Sequence, residues 1–386
     1  MPPILRGIRS RVVNAKRTDL SKGVRHKIVK DNCTSTGKLR GWDKIDFNSN
    51  GGSNANESRL VRGFFGHTRF ATSSKASMDG THPHQWCAKR MYRLFPFKSS
   101  AASASKKTTI AAHSMPVEKY ITHNGDFEFY KIHGKYYDTE DIQKYLVMTL
   151  HEPMPATVDS AAIAGMMDLI RCQGCFALSA RYALCFEVSH DSRGSGNPMD
   201  PDSSYPVIEE YEEMAKIFEQ SLIQHVEKNG VKSLEDIANS SDSRTSLASE
   251  TMEAFRTHFF SASKNAASSS NWVASLSNFV SLDAEEAELM QFIQATVNAF
   301  FDNDLLNSVR VFLENAKGSF GLSVSTSMDA HRQVCFAAKG QTLSVAFYPR
   351  KGCICFGSEQ AAVKVSVWFL VLCVGYYCVF TSEIDG

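Results

Sequence analysis

Two short polar stretches of this chain contain the residue types that bind and hydrolyse an amide. The first covers residues 66–72, with the sequence GHTRFAT, and continues at residues 81–84 with THPH. The second covers residues 121–125, with the sequence ITHNG. An enzyme that hydrolyses an amide must hold the charged ends of its substrate, provide a nucleophile and stabilise an oxyanion. These stretches therefore predict a site for a small charged amide.

Four residues match these needs by type. Arg69 suits a carboxylate, because its planar guanidinium can donate two parallel hydrogen bonds. Asn124 offers a side-chain amide donor to an oxyanion, and Gly125 offers an unhindered backbone N–H. Asp159 suits an ammonium group. None of the four is specific alone, since a single Arg is most often a solvated surface residue and a single Asn-Gly is most often a turn.

The histidines and cysteines offer two other interpretations, a metal site and a redox site. The polar stretches contain His67, His82, His84 and His123. The spacing of His82 and His84 differs from that of a closed zinc site and no suitable cysteine pair accompanies them, so no metal is predicted. Cys172 and Cys175 have redox-motif spacing, but their apolar neighbours favour buried, inert thiols. No cofactor is predicted.

Four blocks of the chain resemble the class II glutamine amidotransferases, and especially the glutaminase domain of glucosamine-6-phosphate synthase. In the family's order, the blocks are GHTRFAT at 66–72, THPH at 81–84, ITHNG at 121–125 and VDSAAIA at 158–164. They resemble family blocks such as GHTRWAT, SHPH, VxHNG and TDTExIA. Weaker resemblance at 316–322, 337–343 and 355–362 extends the similarity, which covers residues 61–180 and 315–362.

The resemblance implies how the substrate is bound. It implies that Arg69 binds the α-carboxylate of glutamine and that Asp159 binds its α-ammonium group. It implies that Thr72 and His82 line the glutamine pocket. The partner that the resemblance implies is therefore free glutamine, held at both charged groups of its backbone end.

The resemblance also implies a reaction and a fold. Asn124 and Gly125 are the implied catalytic residues and form the oxyanion hole. The reaction hydrolyses glutamine to glutamate and ammonia through a cysteine thioester. The fold is α+β, a four-layer αββα sandwich with two antiparallel sheets, as in the hydrolases with an N-terminal nucleophile. Such domains pass ammonia to a synthase domain. None is visible here, so a partner chain or a further domain is expected to receive it.

The start of the chain departs from the family's pattern. In the family the nucleophile is a cysteine at the mature N-terminus, whose α-amino group titrates near neutrality and acts as the base. This sequence begins Met1-Pro2-Pro3, and its first cysteine is Cys33, so no nucleophile is identified. We expect the true start, with its cysteine, to lie upstream. The alternative hypothesis is a catalytically inactive glutamine-binding or interaction module.

Composition restricts the partners and the compartment. Lysine and arginine number 42 and aspartate and glutamate 41, a balance that argues against a nucleic acid or an anionic membrane surface as partner. The basic start is not followed by an apolar run, so no secretory signal is predicted. The 10 cysteines are scattered along a long chain, which favours reduced thiols in a cytoplasmic compartment.

Changes in composition divide the chain into five segments. Residues 1–60 form an atypical basic and polar segment, and residues 188–280 a low-complexity insertion with one or two helices. The two parts of the amidotransferase domain are predicted at 61–187 and 281–362, and an apolar tail at 363–386.

Hydrophobic periodicity predicts the elements that position these residues. Predicted helices cover residues 138–150, 159–170, 207–226 and 283–300. Predicted strands cover residues 174–180, 320–325, 333–338, 343–348 and 353–356. The late strands are separated by turn residues and therefore favour an antiparallel sheet.

The tail contains an uncharged run at residues 365–381. A helix that spans a membrane needs ~20 apolar residues, so the run is at the short limit. Three interpretations stay open: a membrane span, a buried strand–turn–strand and the product of a wrong gene boundary.

Overall fold

The computed structural model describes most of the chain between residues 110 and 329 and shorter parts elsewhere. The described residues are 25–28, 66–69, 82–86, 90–95, 110–188, 198, 204–231, 233–264, 271–280, 287–329, 334–348, 353–359, 370–373 and 380–381. The segment boundaries at residues 60 and 362 and the loop before residue 60 lie outside them.

The strands form four antiparallel sheets. The strands are β1 (Arg25–Ile28), β2 (Gly66–Arg69), β3 (Met91–Leu94), β4 (His113–Pro116), β5 (Lys119–Ile132), β6 (Lys135–Asp138), β7 (Ala316–Thr326), β8 (Cys335–Lys339), β9 (Leu343–Tyr348), β10 (Cys353–Gly357), β11 (Leu370–Cys373) and β12 (Phe380–Thr381). The central sheet has the order β12-β8-β7-β5-β6, and a second sheet has the order β10-β9-β11. β1 pairs with β2, and β3 pairs with β4.

The helices cover the region between β6 and β7. They are α1 (Thr139–Leu150), α2 (Asp159–Ile170), α3 (Phe176–Phe186), α4 (Ile208–Asn229), α5 (Leu234–Ala238), α6 (Ser241–Lys264), α7 (Asn271–Ser277), α8 (Ala287–Asp302) and α9 (Leu305–Asn315). The chain is therefore a mixed α/β fold with several antiparallel sheets, which agrees with the α+β class expected from the sequence.

The longest strand pair, β5 with β7, forms the centre of the main sheet. Asn124 lies opposite Gly321, and Phe127 lies opposite Gly318. The register shifts between Phe127 and Phe129, which marks a bulge that bends β5 beside Asn124. One face of this pair carries the buried rings of Phe127 and Phe320, whose centroids are 6.1 Å apart. The sheet is therefore anchored to the core directly next to the predicted oxyanion hole.

The first two helices agree with their predictions. α1 begins after Asp138, whose side chain accepts a hydrogen bond from the N–H of Asp141 and so caps the helix. It buries Ile142, Tyr145, Leu146 and Thr149, the predicted apolar face. α2 is buried along almost its whole length, as expected for a helix that is apolar on all sides.

The strand predicted at residues 174–180 is wrong, because α3 occupies most of it. A short apolar run fits a buried helix and a buried strand equally well by periodicity. Packing decides for the helix here. The ring of Phe176 stacks on Phe300 of α8 with centroids 4.0 Å apart and on Phe218 of α4 at 5.4 Å. Ser179 donates to the carbonyl of Cys175 one turn earlier.

The described residues of the region 188–280 contain four helices, α4 to α7, where one or two were expected. α4 ends at Gly230, with φ 63°, as the Asn-Gly stop signal predicts. The ring of Phe255 on α6 lies 4.9 Å from Phe218 and 5.5 Å from Trp272, measured between centroids. These residues belong to the same buried cluster as the sheet. Sparse aromatics in a serine-rich background thus suffice to bury these helices.

The described parts of the apolar tail are strands. β11 pairs with β9, and β12 pairs with β8, which agrees with the strand interpretation for these residues. Within the described residues, no helix is long and apolar enough to cross a membrane.

Candidate functional site

Two histidines of the polar stretches, His82 and His123, meet at the hydroxyl of Ser160, in the first turn of α2. The ring Nε2 of His82 lies 3.0 Å from Ser160 Oγ, and the ring Nδ1 of His123 lies 3.1 Å from the same oxygen. All three side chains are buried. His82 belongs to the segment 82–86, which is held on β5 by two backbone hydrogen bonds between His84 and Ile121. One hydroxyl therefore joins three separate elements.

Asp159 lies at the start of α2 and faces β5. Its Oδ2 accepts a hydrogen bond of 3.2 Å from the backbone N–H of Phe127. Its Oδ1 accepts one of 2.8 Å from the N–H of Ser160. The side chain keeps 34% exposure, so the carboxylate is oriented by the backbone and still reachable from solvent. This is the arrangement that a receptor for an ammonium group requires.

Asn124 and Gly125 lie on β5, three and two residues before Phe127. Asn124 is exposed, and its Nδ2 donates to Gln341 Oε1 over 3.4 Å. Gln341 in turn donates to Ser319 Oγ at 3.5 Å. Both hydrogen bonds are long and therefore weak. A substrate oxygen at a shorter distance can replace Gln341 as the acceptor of the Asn124 amide. The side chain thus has the chemistry of an oxyanion-hole donor.

Gly125 is required by its backbone conformation and its surroundings. Its φ is 126°, a region that residues with a Cβ rarely adopt. A Cβ at this position would lie 2.0 Å from the carbonyl oxygen of Ser319 on β7. On the opposite strand, Gly318 has φ 136°, and its Cβ would lie 2.1 Å from the carbonyl oxygen of Asp126. The two strands therefore approach each other closely only because both positions are glycine.

The ring of His123 is neutral and has a defined tautomer. Its Nε2 faces the carbonyl oxygen of Ser319 at 3.3 Å, and because a carbonyl only accepts, Nε2 carries the proton. Burial lowers the pKa of His123, and the nearby charge of Asp159 opposes this only in part. Nδ1 is then an acceptor for the Ser160 hydroxyl.

A buried ion cluster attaches β5 to α2 below the site. The Nζ of Lys119, the first residue of β5, lies 2.8 Å from Asp168 Oδ1 on α2. Arg181 Nη2 of α3 lies 2.8 Å from Asp168 Oδ2. Both cations also donate to the backbone carbonyl of Asp168 at 2.9 Å. The cluster therefore sets the position of α2, which carries Asp159, relative to β5, which carries Asn124.

Of the six residues predicted for the site, four are brought to one place. His82, Asn124, Gly125 and Asp159 all lie around the β5–α2 contact. The remaining two are Arg69 and Thr72. The backbone of Arg69 ends β2, opposite Arg25 of β1, and Thr72 lies outside the described residues.

Four residues of the site, His123, Ser160, Ser319 and Gln341, were not predicted as site residues. Ser160 lies within the VDSAAIA block, where its position directly after Asp159 was the available signal. Ser319 and Gln341 come from the later strands and contribute a carbonyl oxygen and an amide. Ser319 lies in the weakly resembling block 316–322 and Gln341 in the block 337–343, but the resemblance implied no role for either residue.

The other two interpretations of the polar residues are a metal site and a redox pair. Among the residues that the structure describes, no group of three His, Cys, Asp or Glu side chains is arranged to hold a metal ion. Cys172 and Cys175 are free and buried, as predicted. Burial raises the pKa of the Cys175 thiol to about 12 and also raises that of Cys172, which makes both thiols poor nucleophiles.

Comparison of the chain with protein-family models, with curated proteins and with solved structures finds no match.

Proposed function

We propose that this chain is a class II glutamine amidotransferase domain, which binds glutamine and hydrolyses it to glutamate and ammonia. One observation carries the proposal. The oriented carboxylate of Asp159 lies directly beside the strand that bears Asn124 and Gly125, through the 3.2 Å bond from Phe127 N–H to Asp159 Oδ2. This contact supports the proposal, because a zwitterionic amide substrate needs a group for its ammonium close to donors for its oxyanion.

In the proposed reaction each residue has one role. Asp159 binds the α-ammonium of glutamine, Arg69 binds its α-carboxylate, and Thr72 and His82 line the pocket. An N-terminal cysteine thiol, whose proton passes to the α-amine, attacks the side-chain amide carbon. The side chain of Asn124 and the N–H of Gly125 stabilise the oxyanion, as oxyanion-hole donors do.

The tetrahedral intermediate then collapses and expels ammonia, which takes the transferred proton. A thioester is left, and water hydrolyses it to glutamate and the free thiol. The proposed fold is the four-layer αββα sandwich of the N-terminal-nucleophile hydrolases, and a synthase domain or partner chain receives the ammonia. Support for the fold is the antiparallel central sheet with helices packed against it.

The test measures glutamine binding and glutamate release with the protein isolated in its mature form, whose N-terminal residue is identified by mass spectrometry. We expect the mature chain to start with cysteine and to release glutamate. Asn124→Ala should lower the rate ~10²–10³-fold with little change in glutamine affinity, because one oxyanion donor is lost. An unchanged rate in Asn124→Ala would refute the assignment.

Binding has its own variant and a matched control. Asp159→Asn removes a charged hydrogen bond to the ammonium and should weaken glutamine binding at least about tenfold. Asp242 also lies in the first turn of a helix, α6, and is exposed, so Asp242→Asn should bind like the wild type. Binding without hydrolysis by a chain that lacks an N-terminal cysteine would instead identify a glutamine-binding module.

A further inference from the structure

The hydroxyl of Ser160 stands between three polar groups and carries a single proton. His82 Nε2 lies 3.0 Å away, His123 Nδ1 lies 3.1 Å away and Asp159 Oδ1 lies 3.3 Å away. A serine hydroxyl donates one hydrogen bond and accepts two. The direction of each bond therefore follows from the partners of the two histidine rings.

The ring partners set these directions. The backbone N–H of His123 points at His82 Nδ1 over 3.4 Å, and since an N–H only donates, this nitrogen is unprotonated. The proton of a neutral His82 is then on Nε2 and is donated to Ser160. The carbonyl of Ser319 requires the proton of His123 on Nε2, so Ser160 donates to His123 Nδ1. The bonds run in one direction, from His82 through Ser160 and His123 to Ser319.

We propose that Ser160 is the positioning residue of this site, and that its hydroxyl fixes His82 and His123 in single neutral tautomers. The ring of His123 then holds the β5 backbone that leads into Asn124 and Gly125. As long as the Ser160 hydroxyl donates to His123, it does not donate to Asp159. The Asp159 carboxylate can then accept from the ammonium of the substrate. This role rests on the proposed function, because the ligand is glutamine.

Protonation of His123 reverses this arrangement. The charged ring donates from Nδ1 to Ser160, whose own proton then turns to Asp159 Oδ1. The cation also lies 3.8 Å from Asp159 Oδ2 and competes there with the ammonium of glutamine. Among the residues that the structure describes, the titratable and charged groups near His123 are Asp159 from α2, Asp126 from β5, and His82 with its neighbour His84 from the segment 82–86.

The first measurement is nitrogen-15 NMR of the histidine rings in the full chain, with signals assigned by His82→Asn and His123→Asn. We expect both rings of the wild type to be in the Nε2–H tautomer at pH 7. Ser160→Ala removes the shorter hydrogen bond of each ring, of 3.0 Å for His82 and 3.1 Å for His123, and leaves the longer ones of 3.4 Å and 3.3 Å. We therefore expect both rings to populate both tautomers in this variant. Ser160→Thr, which keeps the hydroxyl, should restore the single tautomers. Ser179→Ala controls for the loss of a buried hydroxyl elsewhere, in α3.

The second measurement is the affinity for L-glutamine between pH 5 and pH 8. Ser160→Ala should bind L-glutamine about tenfold more weakly at pH 7, because the hydrogen bonds that position His82 and His123 are lost. It should also lose the wild type's decline in affinity at acidic pH, while Ser160→Thr keeps that decline. Ser179→Ala should match the wild type in both respects.

The outcomes separate the two proposals. A wild type that does not bind glutamine refutes the proposed function, while its ring tautomers still decide the positioning role. An Nδ1–H tautomer at His123 in the wild type would overturn that role, and this result requires no variant to fold. Unchanged ring tautomers together with unchanged glutamine affinity in Ser160→Ala would also overturn the positioning role. A misfolded Ser160→Ala leaves the wild-type tautomers and Ser160→Thr as the deciding measurements.

Discussion

Replacement of Asp168 by Asn tests whether the buried ion cluster holds the site together. The side chains of Lys119, Asp168 and Arg181 are 2%, 5% and 5% exposed, so solvent cannot take the place of a lost partner. Asn keeps the shape of Asp but has one acceptor oxygen and no charge, which leaves two cations uncompensated. Removal of one partner from a buried ion pair costs about 3–5 kcal/mol, and we expect a loss of stability in this range.

The assay is urea denaturation at pH 7, with stability taken from the midpoint and slope. Glu314→Gln is the control, because Glu314 pairs with Arg310 one turn away on α9 and both side chains are about half exposed. Such an exposed pair contributes about 0.3–0.5 kcal/mol. Lys119→Met leaves a neutral pair between Asp168 and Arg181 and should cost less than Asp168→Asn. A loss in Asp168→Asn no larger than that in Glu314→Gln would refute the reasoning.

Three further predictions concern the site, the thiols and the acid limit of stability. Gly125→Ala should lower the free energy of unfolding by at least about 2 kcal/mol and abolish glutamine binding. The reasons are backbone strain and a Cβ that would lie 2.0 Å from the Ser319 carbonyl oxygen. Calorimetry measures both stability and binding, and a variant that binds glutamine normally would contradict the prediction. Iodoacetamide should label the partly exposed Cys355 before the buried Cys175 in the folded protein, as peptide mapping can show; equal rates would contradict the burial. Burial alone would raise the pKa of Asp168, but its two cationic neighbours lower that pKa overall. The stabilisation by Asp168 is therefore complete above the unfolded pKa of about 3.9 and is lost as pH falls through the lower folded pKa. Urea midpoints from pH 6 to pH 2 should fall more for the wild type than for Asp168→Asn, and parallel curves would contradict this.

The sequence was sufficient where the signal is local. α1 was predicted at residues 138–150 from the spacing of its apolar residues, and its extent and buried face agree. α4 was predicted together with its end at Gly230. Caps and amphipathic periodicity depend on residues within a few positions of one another, so the chain carries this information in any tertiary context.

The sequence was insufficient to predict the type of an element that is buried on all sides. The run at residues 174–180 is apolar throughout and therefore has no period that separates a helix from a strand. Contacts with Phe218 and Phe300, from distant helices, make it α3. The serine-rich region suggested few helices, because Phe255 and Trp272 are isolated in sequence and meet only after the helices pack.

For the site, residue types suggested Asn124, Gly125 and Asp159, and the family resemblance added His82; the roles of all four stay predictions. Tertiary structure decided that a carboxylate and an amide lie side by side, because β5 passes the first turn of α2 at Phe127. It also decided that Ser160 joins two histidines. Donor and acceptor atoms must come within about 3 Å to bond, and for residues so far apart in the chain only the packed fold sets that distance.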